Sequence, residues 1–174
     1  MSEENQGLVV FSHGKESGPQ GTKIRVLSGI AEKHGWATDS IDYTDMMDPD
    51  ERVGRLLDEL EGESRRPLVL VGSSMGAYVA LVAAAALRPQ GVFLMAPALY
   101  IPGWKEQQYP EDLERVSIVH GWHDELIPPD NVLRYAKTAN CDLHLLPADH
   151  RLSAVLPELT GLFEAFLRRV RGGS

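Results

Sequence analysis

The sequence has one cysteine, Cys141. That excludes an intrachain disulfide, a CxxC redox pair and a cysteine-built zinc site, and leaves a small, partly buried thiol as the natural reading. Basic residues are also scarce: 17 lysines and arginines stand against 25 aspartates and glutamates, a formal net charge of −8. A nucleic-acid binder needs a lysine- and arginine-rich face to displace counterions, so nucleic acid is not an expected partner. Long hydrophobic runs are missing as well. The longest, Tyr78 to Leu87, is about half of what a bilayer crossing requires. Met1 to Gly7 lacks the basic start and apolar stretch of a secretory leader. The expectation is a cytoplasmic protein with no membrane span.

What is present is the make-up of one ordinary folded domain: 174 residues, 43% hydrophobic and 24% charged. No repeat, linker or low-complexity stretch divides 1–174, and only 1–7 and 171–174 look like frayed ends. Short apolar runs alternate with longer amphipathic ones, the pattern of a parallel sheet crossed over by helices. Six strands are predicted at Leu8 to Ser12, Ala37 to Asp42, Leu68 to Gly72, Gly91 to Ala96, Val116 to Gly121 and Asp142 to Pro147. Their near-continuous Val, Leu and Ile content fits strands covered on both faces. Helices are predicted at Thr22 to His34, Pro49 to Leu60, Met75 to Leu87, Asp130 to Thr138 and Ser153 to Arg169. The fold class is therefore a three-layer α/β/α sandwich around a six-stranded parallel sheet. One stretch breaks the rhythm: 97–115, with Tyr100, Trp104 and Tyr109, has a poor helical pattern, and a loop this long in a compact domain is usually functional.

The strongest chemical signal is Gly72-Ser73-Ser74-Met75-Gly76, set between an apolar strand and an alanine-rich helix. GxSxG alone is a weak match, because it arises by chance, and a glycine-rich turn capping a helix through Ser73 or Ser74 is the alternative. In a strand-turn-helix context it is the pattern of a nucleophile elbow, where a serine sits in a strained turn and the glycines avoid collisions with neighbouring backbone. The Met75 N–H would then lie free at the helix N-terminus, suited to an oxyanion.

A serine nucleophile needs a base. His150 follows the last strand, and loops at the carboxyl ends of parallel strands share one crevice, so it can meet Ser74 despite their separation in sequence. His34 lies at a helix end, His144 inside a strand, and His120 at a strand end where a structural hydrogen bond is the commoner role. Asp124, after the fifth strand, is the candidate orienting acid, with Glu125 and Asp149 as rivals. A second oxyanion donor is expected after the first strand, at the Lys15 N–H or one residue from it, beside Gly14. His13 is expected to brace that loop. The loop is not a phosphate-binding P-loop, because Val9 and Glu16 stand where glycine and serine or threonine are required. His120, His123 and Asp124 imitate a metal cluster but have no companion ligands elsewhere, so no metal is expected. The acidic stretch Asp39 to Glu63 lacks EF-hand spacing and reads as a solvated face.

Taken together, Ser12-His13-Gly14, Gly72-Ser73-Ser74-Met75-Gly76, His120-Gly121-Trp122-His123-Asp124 with Pro128, and Asp149-His150 resemble a small, single-domain member of the α/β-hydrolase superfamily from Leu8 to about Arg169. The resemblance implies a minimal α/β-hydrolase fold without a cap domain. It further implies Ser74 as nucleophile, His150 as general acid and base, Asp124 as orienting acid, and the Lys15 and Met75 N–H groups as the oxyanion hole. Serine rather than cysteine at position 74 points toward the esterases and away from dienelactone hydrolases. The implied activity is hydrolysis of a small-molecule ester, with a thioester as the alternative and no cofactor. A binding module on the same scaffold remains the non-enzymatic alternative. Tyr100 and Trp104 in 97–115 are expected to line the substrate pocket.

Overall fold

A computed structural model describes residues 6–172. Six parallel strands form one sheet in the order β2-β1-β3-β4-β5-β6: β1 Leu8–Ser12, β2 Ala37–Ile41, β3 Leu68–Ser73, β4 Gly91–Met95, β5 Val116–Gly121 and β6 Asp142–Leu146. The helices are α1 Thr22–Lys33, α2 Pro49–Glu59, α3 Met75–Leu87, α4 Pro129–Ala139 and α5 Leu156–Gly172, the last preceded by a 3₁₀ turn over Ser153–Val155. None of the described helices is long and apolar enough to cross a membrane.

Side chains alternate across the pleat, and this divides the interior in two. Leu8, Val10, Leu68 and Leu70 face one layer with α2, α3 and α4, while Val9, Phe11, Val69 and Val71 face the other with α1 and α5. Each fully buried Val, Leu or Phe contributes about 1.5–3 kcal/mol relative to exposure. The three-layer sandwich anticipated from the sequence is thus the one observed. The central strands β1, β3, β4 and β5 are buried throughout, whereas the edge strands β2 and β6 are largely half-exposed.

Local chemistry sets the ends. Asp48 caps α2 by accepting from the Asp50 and Glu51 N–H groups at 2.7 and 3.3 Å, and Pro49 opens the helix with φ already suited to it. Gly35, at φ 83°, closes α1. Several boundaries differ from expectation. β3 runs on to Ser73, which pairs with Met95; β4 stops at Met95 because Ala96 turns to φ 45°. β2 and β6 end one residue early, at Ile41 and Leu146. α4 starts at Pro129, not Asp130, and ends at Ala139. α5 begins after the 3₁₀ turn and continues to Gly172, so Arg171 and Gly172 are helical instead of frayed. At the other end, the Gly7 carbonyl accepts from the Ala37 N–H at 2.8 Å. The remaining parts of the expected tails, 1–5 and 173–174, lie outside the described residues. Because every strand is parallel, the connections leaving β1, β3, β5 and β6 emerge along one edge of the sheet.

Candidate active site

Ser74 lies in the turn between β3 and α3 with φ 56° and ψ −117°, a conformation that costs a non-glycine residue about 1–3 kcal/mol. The surroundings hold it there. Its N–H donates to Met95 O at 2.9 Å, and its carbonyl accepts from the N–H groups of Ala77, Tyr78 and Ala98 at 3.1, 3.3 and 3.1 Å. A side chain on Gly76 would collide with the Ser12 and His13 carbonyls, so only glycine lets α3 start this close to β1.

The loops after β5 and β6 are joined by backbone. Trp122 N–H donates to Leu146 O at 2.9 Å and His123 N–H to Ala148 O at 3.0 Å. This places Asp124 beside His150. His150 Nδ1 stands 2.7 Å from Asp124 Oδ2, and His150 Nε2 stands 2.8 Å from Ser74 Oγ. A carboxylate only accepts, so Nδ1 carries the proton, and Nε2 is left to accept from the serine hydroxyl. The other carboxylate oxygen, Asp124 Oδ1, accepts from the Leu126 and Ile127 N–H groups at 2.9 and 2.8 Å, which fixes the plane of the carboxylate. The Asp124 side chain is fully buried, while that of His150 keeps 18% of its surface exposed. Of the rivals, Asp149 is exposed and accepts from the Arg151 N–H, and Glu125 is exposed.

The β1–α1 loop approaches from the opposite side of the elbow. A Cβ built on Gly14 would lie 3.4 Å from Ser74 Cβ. Gly14 N–H already donates to Ser17 Oγ at 3.1 Å. His13 is buried and braces the loop, with Nδ1 2.7 Å from Gly14 O and Nε2 accepting from the Tyr43 N–H at 2.9 Å. Burial holds the pKa of His13 below the usual histidine value despite its backbone hydrogen bond. Met75 is the first residue of α3, where an N–H has no intrahelical acceptor.

Ser74 and His150 open into a cleft of about 1230 Å³, shared by Lys15, Met75, Trp104, Leu126 and Ile127. Trp104 sits edge-on to Tyr78, ring centroids 4.8 Å apart. Tyr100 does not reach this cleft. At φ 58° its backbone turns the ring the other way, under the Arg134 guanidinium 3.9 Å above it and against Tyr109, beside a separate depression of about 600 Å³. The expectation that both aromatics share one pocket therefore fails for Tyr100. Leu126, 72% exposed at the cleft rim, and buried Arg52 escaped the sequence reading. For Arg52 a signal existed, since it falls four residues before Leu56 on the inward stripe of α2.

Among the described residues no group of three or more His, Cys, Asp or Glu side chains is arranged to hold a metal. His120 Nε2 lies 3.0 Å from Ile127 O and 3.3 Å from Asp124 Oδ2, a bracing role inside the loop.

A doubly covered parallel sheet with a serine elbow after its third strand, facing acid and histidine loops, defines the α/β-hydrolase class. The chain belongs to the alpha/beta hydrolase family, whose model matches residues 11–171. It is similar to a Xanthomonas campestris pv. campestris protein of the α/β hydrolase superfamily, with 31% identity over 94% of this chain and 98% of that one and a TM-score of 0.86. Est1E from Butyrivibrio proteoclasticus shares the fold at 19% identity, covering 98% and 90% of the two chains with TM-score 0.81. So does XC6422 from Xanthomonas campestris, a serine hydrolase without a lid, at 20% identity, 97% and 85% coverage and TM-score 0.80. No curated protein matches the sequence.

Proposed function

We propose that this protein is a serine hydrolase that cleaves a small-molecule carboxylic ester through an acyl-enzyme. The observation that carries the reading is the relay from Ser74 Oγ to His150 Nε2 at 2.8 Å and from His150 Nδ1 to Asp124 Oδ2 at 2.7 Å. His150 takes the Ser74 proton as Oγ bonds to the ester carbon, and the carbonyl pair moves onto oxygen. The oxyanion is stabilised by the Met75 N–H at the start of α3 and by the Lys15 N–H. The donation of Gly14 N–H to Ser17 Oγ supports Lys15 as the second donor. His150 then gives the proton to the departing alkoxide. In the second half it deprotonates water, which releases the acid and restores Ser74. No cofactor enters either half. Trp104 and Leu126 form an apolar side of the cleft suited to the acyl or alcohol group.

Intact mass after treatment with a fluorophosphonate tests the reading. One adduct on wild type that is absent from Ser74→Ala is the expected result. Initial rates on matched acetyl, butyryl and longer esters and thioesters then separate esterase from thioesterase. Folded wild type that is neither labelled nor active on any of them would leave the binding-module alternative.

A further inference from the structure

Arg52 is fully buried in α2, yet each of its four hydrogen bonds ends on a backbone carbonyl: Met46 O at 2.9 Å, His13 O at 3.0 Å, Gly14 O at 3.4 Å and Tyr43 O at 3.5 Å. A buried guanidinium is expensive to desolvate, and burial lowers the pKa of this one from the ordinary arginine value. An apolar residue could fill the same space, so the loop carbonyls it gathers are the feature to explain. Two of them belong to the turn beside Ser74. His13 adds a second hold on the same turn through Nδ1, 2.7 Å from Gly14 O.

A trans peptide is planar, with its C=O and N–H pointing in opposite directions. Holding His13 O toward Arg52 therefore turns the Gly14 N–H the other way, where it meets Ser17 Oγ. By the same geometry, holding Gly14 O turns the Lys15 N–H away from Arg52, and Lys15 lies on the wall of the cleft that contains Ser74. A cation on the carbonyl also polarises the peptide, which makes its N–H a stronger donor.

We propose that Arg52 and His13 are positioning residues that clamp the Gly14 carbonyl so that the Lys15 N–H faces the developing oxyanion. This rests on the hydrolase reading given above. Neither side chain touches substrate; both act through one peptide group.

The test uses a trifluoromethyl ketone. Ser74 Oγ bonds to its carbonyl carbon, the serine proton passes to His150, and the carbonyl electron pair becomes an oxyanion in the same place as that of the reaction. Fluorine NMR follows the ionisation midpoint of this hemiketal in wild type, Arg52→Lys, Arg52→Met and His13→Asn. A misdirected donor weakens oxyanion binding by about 10- to 100-fold, so the midpoint should rise by about 1–2 pH units and kcat fall in proportion, with KM nearly constant. A purely structural role would lower the melting temperature and leave the midpoint where it was. Folded variants with the wild-type midpoint and kcat overturn the proposal, and His13→Asn decides it alone if the Arg52 variants do not fold. Failure of wild type to form any hemiketal overturns the hydrolase reading instead, which separates the two failures.

Discussion

Asp124 Oδ2 faces two imidazoles: His150 Nδ1 at 2.7 Å and His120 Nε2 at 3.3 Å. His120 is wholly buried, and no hydrogen-bond partner meets its Nδ1. A second proton would have nowhere to go. Burial accordingly lowers the pKa of His120, as it does that of His13. Both histidines stay neutral in the fold at pH values where the unfolded chain, with its ordinary value of 6.5, takes up protons. Since the unfolded state binds more protons, stability rises with pH through this window and is lost as pH falls below about 6.5, by up to about 1.4 kcal/mol per pH unit for each histidine. Urea unfolding at a series of pH values should show the decline, and His120→Asn should make it shallower.

Replacing Asp124 by asparagine keeps an acceptor for the Leu126 and Ile127 N–H groups but presents His150 with an amide that can stabilise the wrong tautomer. Steady-state hydrolysis of a short ester should fall by about 10³- to 10⁴-fold in kcat while the melting temperature changes little. Activity within tenfold of wild type would mean that Asp124 does not orient the base.

Gly76 and Gly29 form a matched pair for stability. A methyl group on Gly76 meets the rigid backbone of Ser12 and His13, whereas one on Gly29, in the middle of α1, meets nothing within 4 Å. Gly76→Ala should cost about 3 kcal/mol or more and displace the β1–α1 loop, with loss of activity. Gly29→Ala should be neutral or stabilising by up to about 1 kcal/mol. Chemical denaturation of both variants checks the contrast.

Trp104 and Leu126 line the cleft and Tyr100 does not. Covering an exposed leucine with substrate is worth about 1.5–3 kcal/mol, so Leu126→Ala should raise KM for longer acyl esters about tenfold or more, with less effect on acetyl esters. Trp104→Ala should act in the same direction, and Tyr100→Ala should leave the chain-length profile as it was. Equal KM values for all three variants across the acyl series would sink this assignment of the wall.

The layers of the sheet were within reach of the sequence because most strands are buried on both faces and most crossover helices keep a helical period. The order of the strands was not, because it depends on which strands pair across the chain. Strand ends were harder. Whether β3 stops at Gly72 or Ser73 depends on pairing with Met95, a contact from another part of the chain. The same division holds in the site. Ser74 announces itself through its immediate neighbours, and His150 and Asp124 through the strands they follow. Their mutual distances, the fate of the Gly14 N–H and the orientation of Tyr100 depend on partners such as Ser17 and Arg134 that no local pattern names. The spacing of Arg52 from Leu56 hints at an inward side chain, but the carbonyls it gathers, those of His13, Gly14, Tyr43 and Met46, are named by no local pattern.

The left-handed backbone of Ser74 has a thermodynamic consequence. At that φ and ψ glycine is at ease and serine is not, so the fold would be more stable without the side chain that the proposed reaction requires. Ser74→Gly should melt several degrees higher, by about 1 kcal/mol, while losing turnover. Activity and ruggedness therefore pull in opposite directions at this one position, and selection for heat resistance alone would drive the chain toward a well-folded, inert relative of itself.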